Sequence, residues 1–229
     1  MIQEYIAATG IFFFILLAAY ALMQKALALA LKDADSFDDD IQKSLTAEDY
    51  VITRRDKAFL VAGTIFTVVT PFFRDLYPSI VGYYVIATVL LVAAIVDLKV
   101  RYAPDSFSVA FLAVAVFDIV FYGVPVSSAL IGMLFPGLAF ILACAFKPDL
   151  IGGADIKMLI TLGACLGTLQ TTSLYLMSCI VLCTLYVPLW LKGKLEKNEK
   201  PIFIPAIFGF YVAYMLVQYE PQYLQLFDI

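Results

Sequence analysis

The chain has 229 residues, 63% of them hydrophobic and 15% charged, with a mean hydropathy of +0.93 and a formal charge of −4 at pH 7. Soluble domains average about 45–50% apolar and about 25% charged residues, so this composition excludes an ordinary soluble domain and predicts one membrane domain. The absence of histidine excludes HExxH metalloproteases and every Ser–His or Cys–His nucleophile pair, which leaves carboxylates or lysine for hydrolytic chemistry.

In chain order, the first apolar stretch runs over residues 5–23. Its short leader carries Glu4 and no Lys or Arg, where a removable signal peptide has a basic region, so it is expected to remain as the first span. Residues 31–57 form an acidic loop containing Asp33, Asp35, Asp38, Asp39 and Asp40. A calcium loop starting at Asp33 needs Gly at its sixth place and Glu at its twelfth, where Asp38 and Ser44 stand, so an EF-hand is rejected. The loop reads as a solvated segment with a short helix, and because most of the acidic excess lies in it, net charge identifies no partner.

Further apolar stretches follow at 58–73, 80–96, 107–122, 126–146, 156–169, 174–191 and 202–217. A span needs about 20 apolar residues, with roughly 17–25 as the working range, so the reading is an all-α polytopic transmembrane bundle of about eight spans. Segment 156–169 is the weakest of them, and Thr171-Thr172-Ser173 is expected to turn the chain after it. Pro188, Pro201 and Pro205 mark interruptions of backbone bonding, and no internal repeat is visible. The chain thus divides into a first transmembrane helix (1–30), a cytoplasmic acidic loop (31–57) and a membrane core (58–229).

With the N-terminus external, every one of the 15 Lys and Arg residues except Arg74 falls on the cytoplasmic side. That near-complete bias sets the orientation and predicts that both termini are external. Cys144, Cys165, Cys179 and Cys183 all lie inside apolar segments and form no CxxC, so neither a disulfide frame nor a zinc ribbon is indicated.

The acids at helix ends need separate reading. Asp105, in Pro104-Asp105-Ser106-Phe107, stands where a helix N-cap belongs, and Asp149 reads as a loop charge. Asp118 lies inside a span near its external end, with an open role. Asp97 closes a helix at its C-terminal end, where the macrodipole disfavours a carboxylate, although Lys99 and Arg101 keep a structural reading open. Asp155 opens the helix after Gly152-Gly153-Ala154, small residues that let an extended substrate backbone approach. In the inferred topology Asp97 and Asp155 share one cytoplasmic level. Two close carboxylates do not both ionise easily, which would supply a base to activate water and an acid to protonate a leaving nitrogen.

The segment Asp97-Leu98-Lys99-Val100-Arg101-Tyr102-Ala103-Pro104-Asp105 and the segment Gly152-Gly153-Ala154-Asp155-Ile156-Lys157 together resemble the motifs of the type IV prepilin and preflagellin peptidases, membrane aspartyl proteases of the GxGD group. Pro201-Ile202-Phe203-Ile204-Pro205 is similar to the proline-containing start of that family's last helix. The resemblance covers roughly 58–217. It implies Asp97 and Asp155 as the catalytic pair, with Gly152, Gly153, Ala154, Lys157, Lys99, Arg101 and Pro104 around the substrate. It also implies a prepilin or preflagellin-like membrane protein as partner, in the lipid bilayer of the cell membrane, and cleavage of a short basic leader at the cytoplasmic face. No metal, other cofactor or nucleic acid is implied. Ala154 replaces the family's second Gly, which adds a methyl where substrate may pass. Residues 31–57 carry none of the cysteines of the family's methyl-transferring members, so cleavage without N-methylation is expected.

Two alternatives stay open. A presenilin-like intramembrane protease shares the GxGD logic, but no Tyr-Asp opens the first motif and Pro205-Ala206-Ile207 stands where Pro-Ala-Leu would. A proton-coupled transporter could use Asp118, although no repeat symmetry supports one.

Overall fold

The computed structural model describes residues 2–33, 45–70, 80–146, 153–192 and 204–217. Among the described residues there are seven α-helices, one short 3-10 turn at Ala47–Tyr50 and no strand. The helices are α1 (Ile2–Lys32), α2 (Arg54–Val69), α3 (Ile80–Val100), α4 (Asp105–Tyr122), α5 (Val126–Phe146), α6 (Gly153–Leu191) and α7 (Ile204–Val217).

Helix α3 is the axis of the bundle, with α1, α2, α4 and α7 packed around it. Leu90, Val92, Ala93 and Val96 are fully buried along it, which suits a helix that is apolar on every side. Phe107 and Phe111 of α4, Leu159 and Leu162 of α6 and Tyr211 of α7 fill the space about it. Large apolar side chains such as Phe14 and Leu17 of α1 and Leu134 of α5 remain outward-facing and exposed. An apolar exterior over a packed interior is what lipid, rather than water, tolerates.

Four helices are long and apolar enough to cross a membrane, over Thr9–Lys32, Ile80–Val100, Asp105–Tyr122 and Gly153–Thr184, and two shorter apolar helices cover Val126–Phe135 and Ile204–Met215. The chain is a membrane protein with an all-helical bundle, but the described residues carry four such helices and not the eight expected. Part of the difference lies in α6. The stretches 156–169 and 174–191 form one helical run from Gly153 to Leu191, and its break falls at Gly167 (φ 73°, ψ 177°), not at Thr171-Thr172-Ser173. Glycine alone reaches that backbone region at little cost. Threonine instead bonds its hydroxyl to the carbonyl four residues back, as Thr172 does to Thr168 at 2.6 Å, and so stays helical in lipid. The start of α7 likewise begins, among the described residues, at Ile204, with Pro205 just inside it.

Helix α1 continues past the predicted end at Met23 to Lys32, because Ala and Leu dominate residues 26–31 and are strong helix formers. Helix α2 starts at a capping box: the Thr53 side chain accepts from the Asp56 N–H, and the Asp56 carboxylate accepts from the Thr53 N–H at 2.8 Å. Helix α5 lies on α6 at glycine positions, where a side-chain carbon added to Gly132 would overlap the Gly163 carbonyl and meet Gly167.

Candidate active site

Asp97 stands in the last turn of α3 and is buried at 8% exposure. The C-terminal end of its own helix disfavours a carboxylate, but Oδ2 accepts the backbone N–H of Ile204 at 3.4 Å. Ile204 opens α7, so the positive end of a second helix faces the carboxylate. No cap within α3 accounts for Asp97, but the bundle supplies a helix N-terminus from elsewhere in the chain.

Asp155 is half-buried in the first turn of α6, and its charge, with that of Arg101, acts on the Asp97 carboxyl. The fold thus brings the two aspartates into one electrostatic neighbourhood, from two different helices. Gly153 is exposed, and a side-chain carbon there would meet nothing. Ala154 packs half-buried against the core. The backbone beside Asp155 is therefore open on the Gly153 side, while the Ala154 methyl turns partly inward. Gly152, Asp149 and Pro201 lie outside the described residues.

The residues after Asp97 are tied down by contacts that sequence spacing does not reveal. The Lys99 ammonium, 11% exposed, donates to the Val51 carbonyl and to Asp56 Oδ2, each at 2.7 Å. It is thus engaged within the chain. Arg101 takes a left-handed backbone (φ 50°) and donates its N–H to the Asp97 carbonyl at 3.1 Å, which ends α3 much as a C-terminal glycine would. Tyr102 Oη donates to Asp33 Oδ2 at 2.7 Å. Burial, and then the bond to Asp33, push the Tyr102 hydroxyl up to about 12. Pro104 is buried with extended backbone and occupies the N-cap position of α4.

Asp105 is corrected from cap to first helical residue. Pro104 holds the cap position with extended backbone (φ −60°, ψ 140°) and no side-chain bond. Asp105 instead meets Lys157, whose ammonium reaches both carboxylate oxygens at 3.0 Å. This pair joins the last residue of the Asp97 segment to the helix of Asp155, and both side chains are exposed.

Asp118 is buried at 3% exposure and lies within electrostatic range of Cys165 on α6 and Tyr211 on α7. It stands 13 residues after Asp105 on the same helix, or roughly 20 Å further along at the α-helical rise. No group of three or more Cys, Asp or Glu comes together among the described residues.

Asp56, Asp33 and the Ile204 amide did not emerge as site residues from the sequence. Thr53-x-x-Asp56 was readable as a helix start of the capping-box kind, but its link to Lys99 lies 43 positions away.

Residues 84–187 match the type IV leader peptidase family. The match begins in α3, contains the whole Asp97–Asp105 segment and Asp155, and ends within α6. No curated protein and no solved structure matches the chain.

Proposed function

We propose, on the premise that residues 84–187 belong to the type IV leader peptidase family, that the protein is an aspartic endopeptidase. It removes the short basic leader of a prepilin or preflagellin-like membrane protein at the cytoplasmic face of the cell membrane. What supports this reading is that Asp97 and Asp155, at the ends of two different helices, both lie inside the matched stretch, close enough for the charge of one to act on the other.

In the mechanism this implies, the substrate lies extended along the open Gly153 backbone, its scissile carbonyl between the two carboxyl groups. One carboxylate takes a proton from water as its oxygen attacks the carbonyl carbon. The other, protonated, carboxyl gives its proton to the leaving nitrogen as the C–N bond breaks. The two carboxyl groups have then exchanged protonation states, and with one proton still shared between them the pair is ready for another cycle. Arg101 and Lys157 flank the path, and their charges favour the cytoplasmic side by the positive-inside rule. The protein crosses the membrane several times with both termini external, and the product leaves without N-methylation, since residues 31–57 supply no cysteines.

Co-expression with a prepilin-like substrate tests this reading. Asp97→Asn and Asp155→Asn should each leave the substrate at full length while the protein accumulates normally in the membrane. Full processing by either variant excludes the pair as the catalytic acids, and mass measurement of the wild-type product should show an unmethylated N-terminus.

A further inference from the structure

We propose that Asp56 and Asp33, two acids outside both aspartate motifs, are positioning residues for the Asp97 carboxylate and act on it through Lys99 and Tyr102. The proposal rests on the protease reading above for its effect on catalysis, but its mechanical part stands on contacts alone.

The last turn of α3 is short of internal restraint, because the final carbonyls of a helix have no partner within it. Asp97 must nevertheless hold one direction, toward α7, for its carboxyl to accept the Ile204 N–H. Residues two apart on an α-helix point about 200° away from each other, so Lys99 leaves the opposite side of α3 from Asp97. There its ammonium reaches the Val51 carbonyl and Asp56 Oδ2. Lys99 thus anchors one side of the turn to the start of α2, and Ile204 receives the other side.

Asp56 is itself fixed. Its Oδ2 also accepts the Thr53 N–H, and its own N–H is bound by the Thr53 hydroxyl at 3.3 Å. A carboxylate held at the first turn of a helix is a rigid acceptor, and its side chain is only 10% exposed, so solvent screens it little. Beyond the helix end, the left-handed Arg101 would allow the chain several exit directions. The bond from Tyr102 to Asp33, at the end of α1, selects one of them. The end of α1, through Asp33, and the start of α2, through Asp56, therefore grip the Asp97 segment on both sides of the Arg101 turn. Because 99 and 102 are tied to 56 and 33, the direction of Asp97 depends on residues 41 and 64 positions before it.

The test uses the full-length protein in lipid nanodiscs, with a synthetic peptide made of a lysine-rich leader joined to an apolar helix of about 20 residues. Asp56→Asn keeps an oxygen for the Thr53 N–H and removes the charge that holds Lys99. It should lower kcat roughly 10- to 100-fold, the scale of an ångström-sized misplacement, while KM stays within about twofold. Amide exchange over 97–105 should rise, with that of α5 unchanged. Tyr102→Phe should give a smaller kcat loss of the same kind, and Asp56→Glu, which retains the charge and the capping box, should restore most of the rate. Wild-type kcat in Asp56→Asn, or a loss confined to KM, overturns the positioning role. If the wild-type protein leaves the peptide intact yet Asp56→Asn still loosens 97–105, the protease reading fails and the anchor stands. Unchanged exchange in that variant overturns the anchor itself.

Discussion

At Asp97 two helix ends act on one carboxylate. The C-terminal end of α3 repels it and the N-terminal end of α7 attracts it through the Ile204 N–H, and the second is what permits an acid to be buried there. Asp56 shows a different balance. Burial pushes its carboxyl up, but the bond from Lys99 and those from Thr53 outweigh that and hold it below the ordinary carboxylate range. A depressed folded value means that its stabilising contribution is complete above about pH 4, the unfolded range, and disappears as pH falls through the folded value. Asp56→Asn should therefore lower stability at pH 7 by about 1–3 kcal/mol and flatten the loss of stability below about pH 4. Thermal unfolding in detergent across pH 3–7 measures both. Asp97 and Asp155 stand out in the sequence as candidates because each sits beside an unusual local pattern. The contacts around them do not, since Ile204 is 107 positions from Asp97 and Asp105 is 52 positions from Lys157, and nothing local links such positions.

Among the helices, apolar runs located most elements well, because hydropathy acts over a whole segment and tolerates errors in single residues. The predicted 80–96 and 107–122 became α3 and α4 with small shifts at their ends. What failed was the position of the break in α6, which depends on one residue's backbone freedom and not on hydropathy. Gly167 carries that break, and Gly132 lets α5 approach close beside it. Gly132→Ala places a methyl against the Gly163 carbonyl, and rigid backbone has little room to yield. It should lower the unfolding free energy by about 1–3 kcal/mol and lower Tm in detergent. Gly153→Ala, where the added carbon meets open space, should leave Tm unchanged, which separates crowding from the mere loss of a glycine.

For the whole molecule, the proposed orientation rests on the distribution of Lys and Arg, which would put the proposed aspartate pair at the cytoplasmic end of its helices. In a cysteine-free background, Ser106→Cys at the Asp97 end of α4 should react with an impermeant maleimide only from the cytoplasmic side. Ser127→Cys, just beyond the other end of that helix, should react only from outside. The reverse pattern would place the pair on the wrong face for a cytoplasmic leader. The first loop then gains a structural part in the site: an acidic segment that reads as solvated holds Lys99 and Tyr102 through Asp56 and Asp33.

The proposed function requires Asp97 and Asp155 to act as one unit, and kinetics of the purified protein on a prepilin-like peptide check that requirement. Asp97→Asn, Asp155→Asn and the double variant should each lose at least about 10³-fold in kcat, with the double no worse than either single, as for residues that share one step. A single variant at the wild-type rate, or losses that multiply in the double, would contradict it.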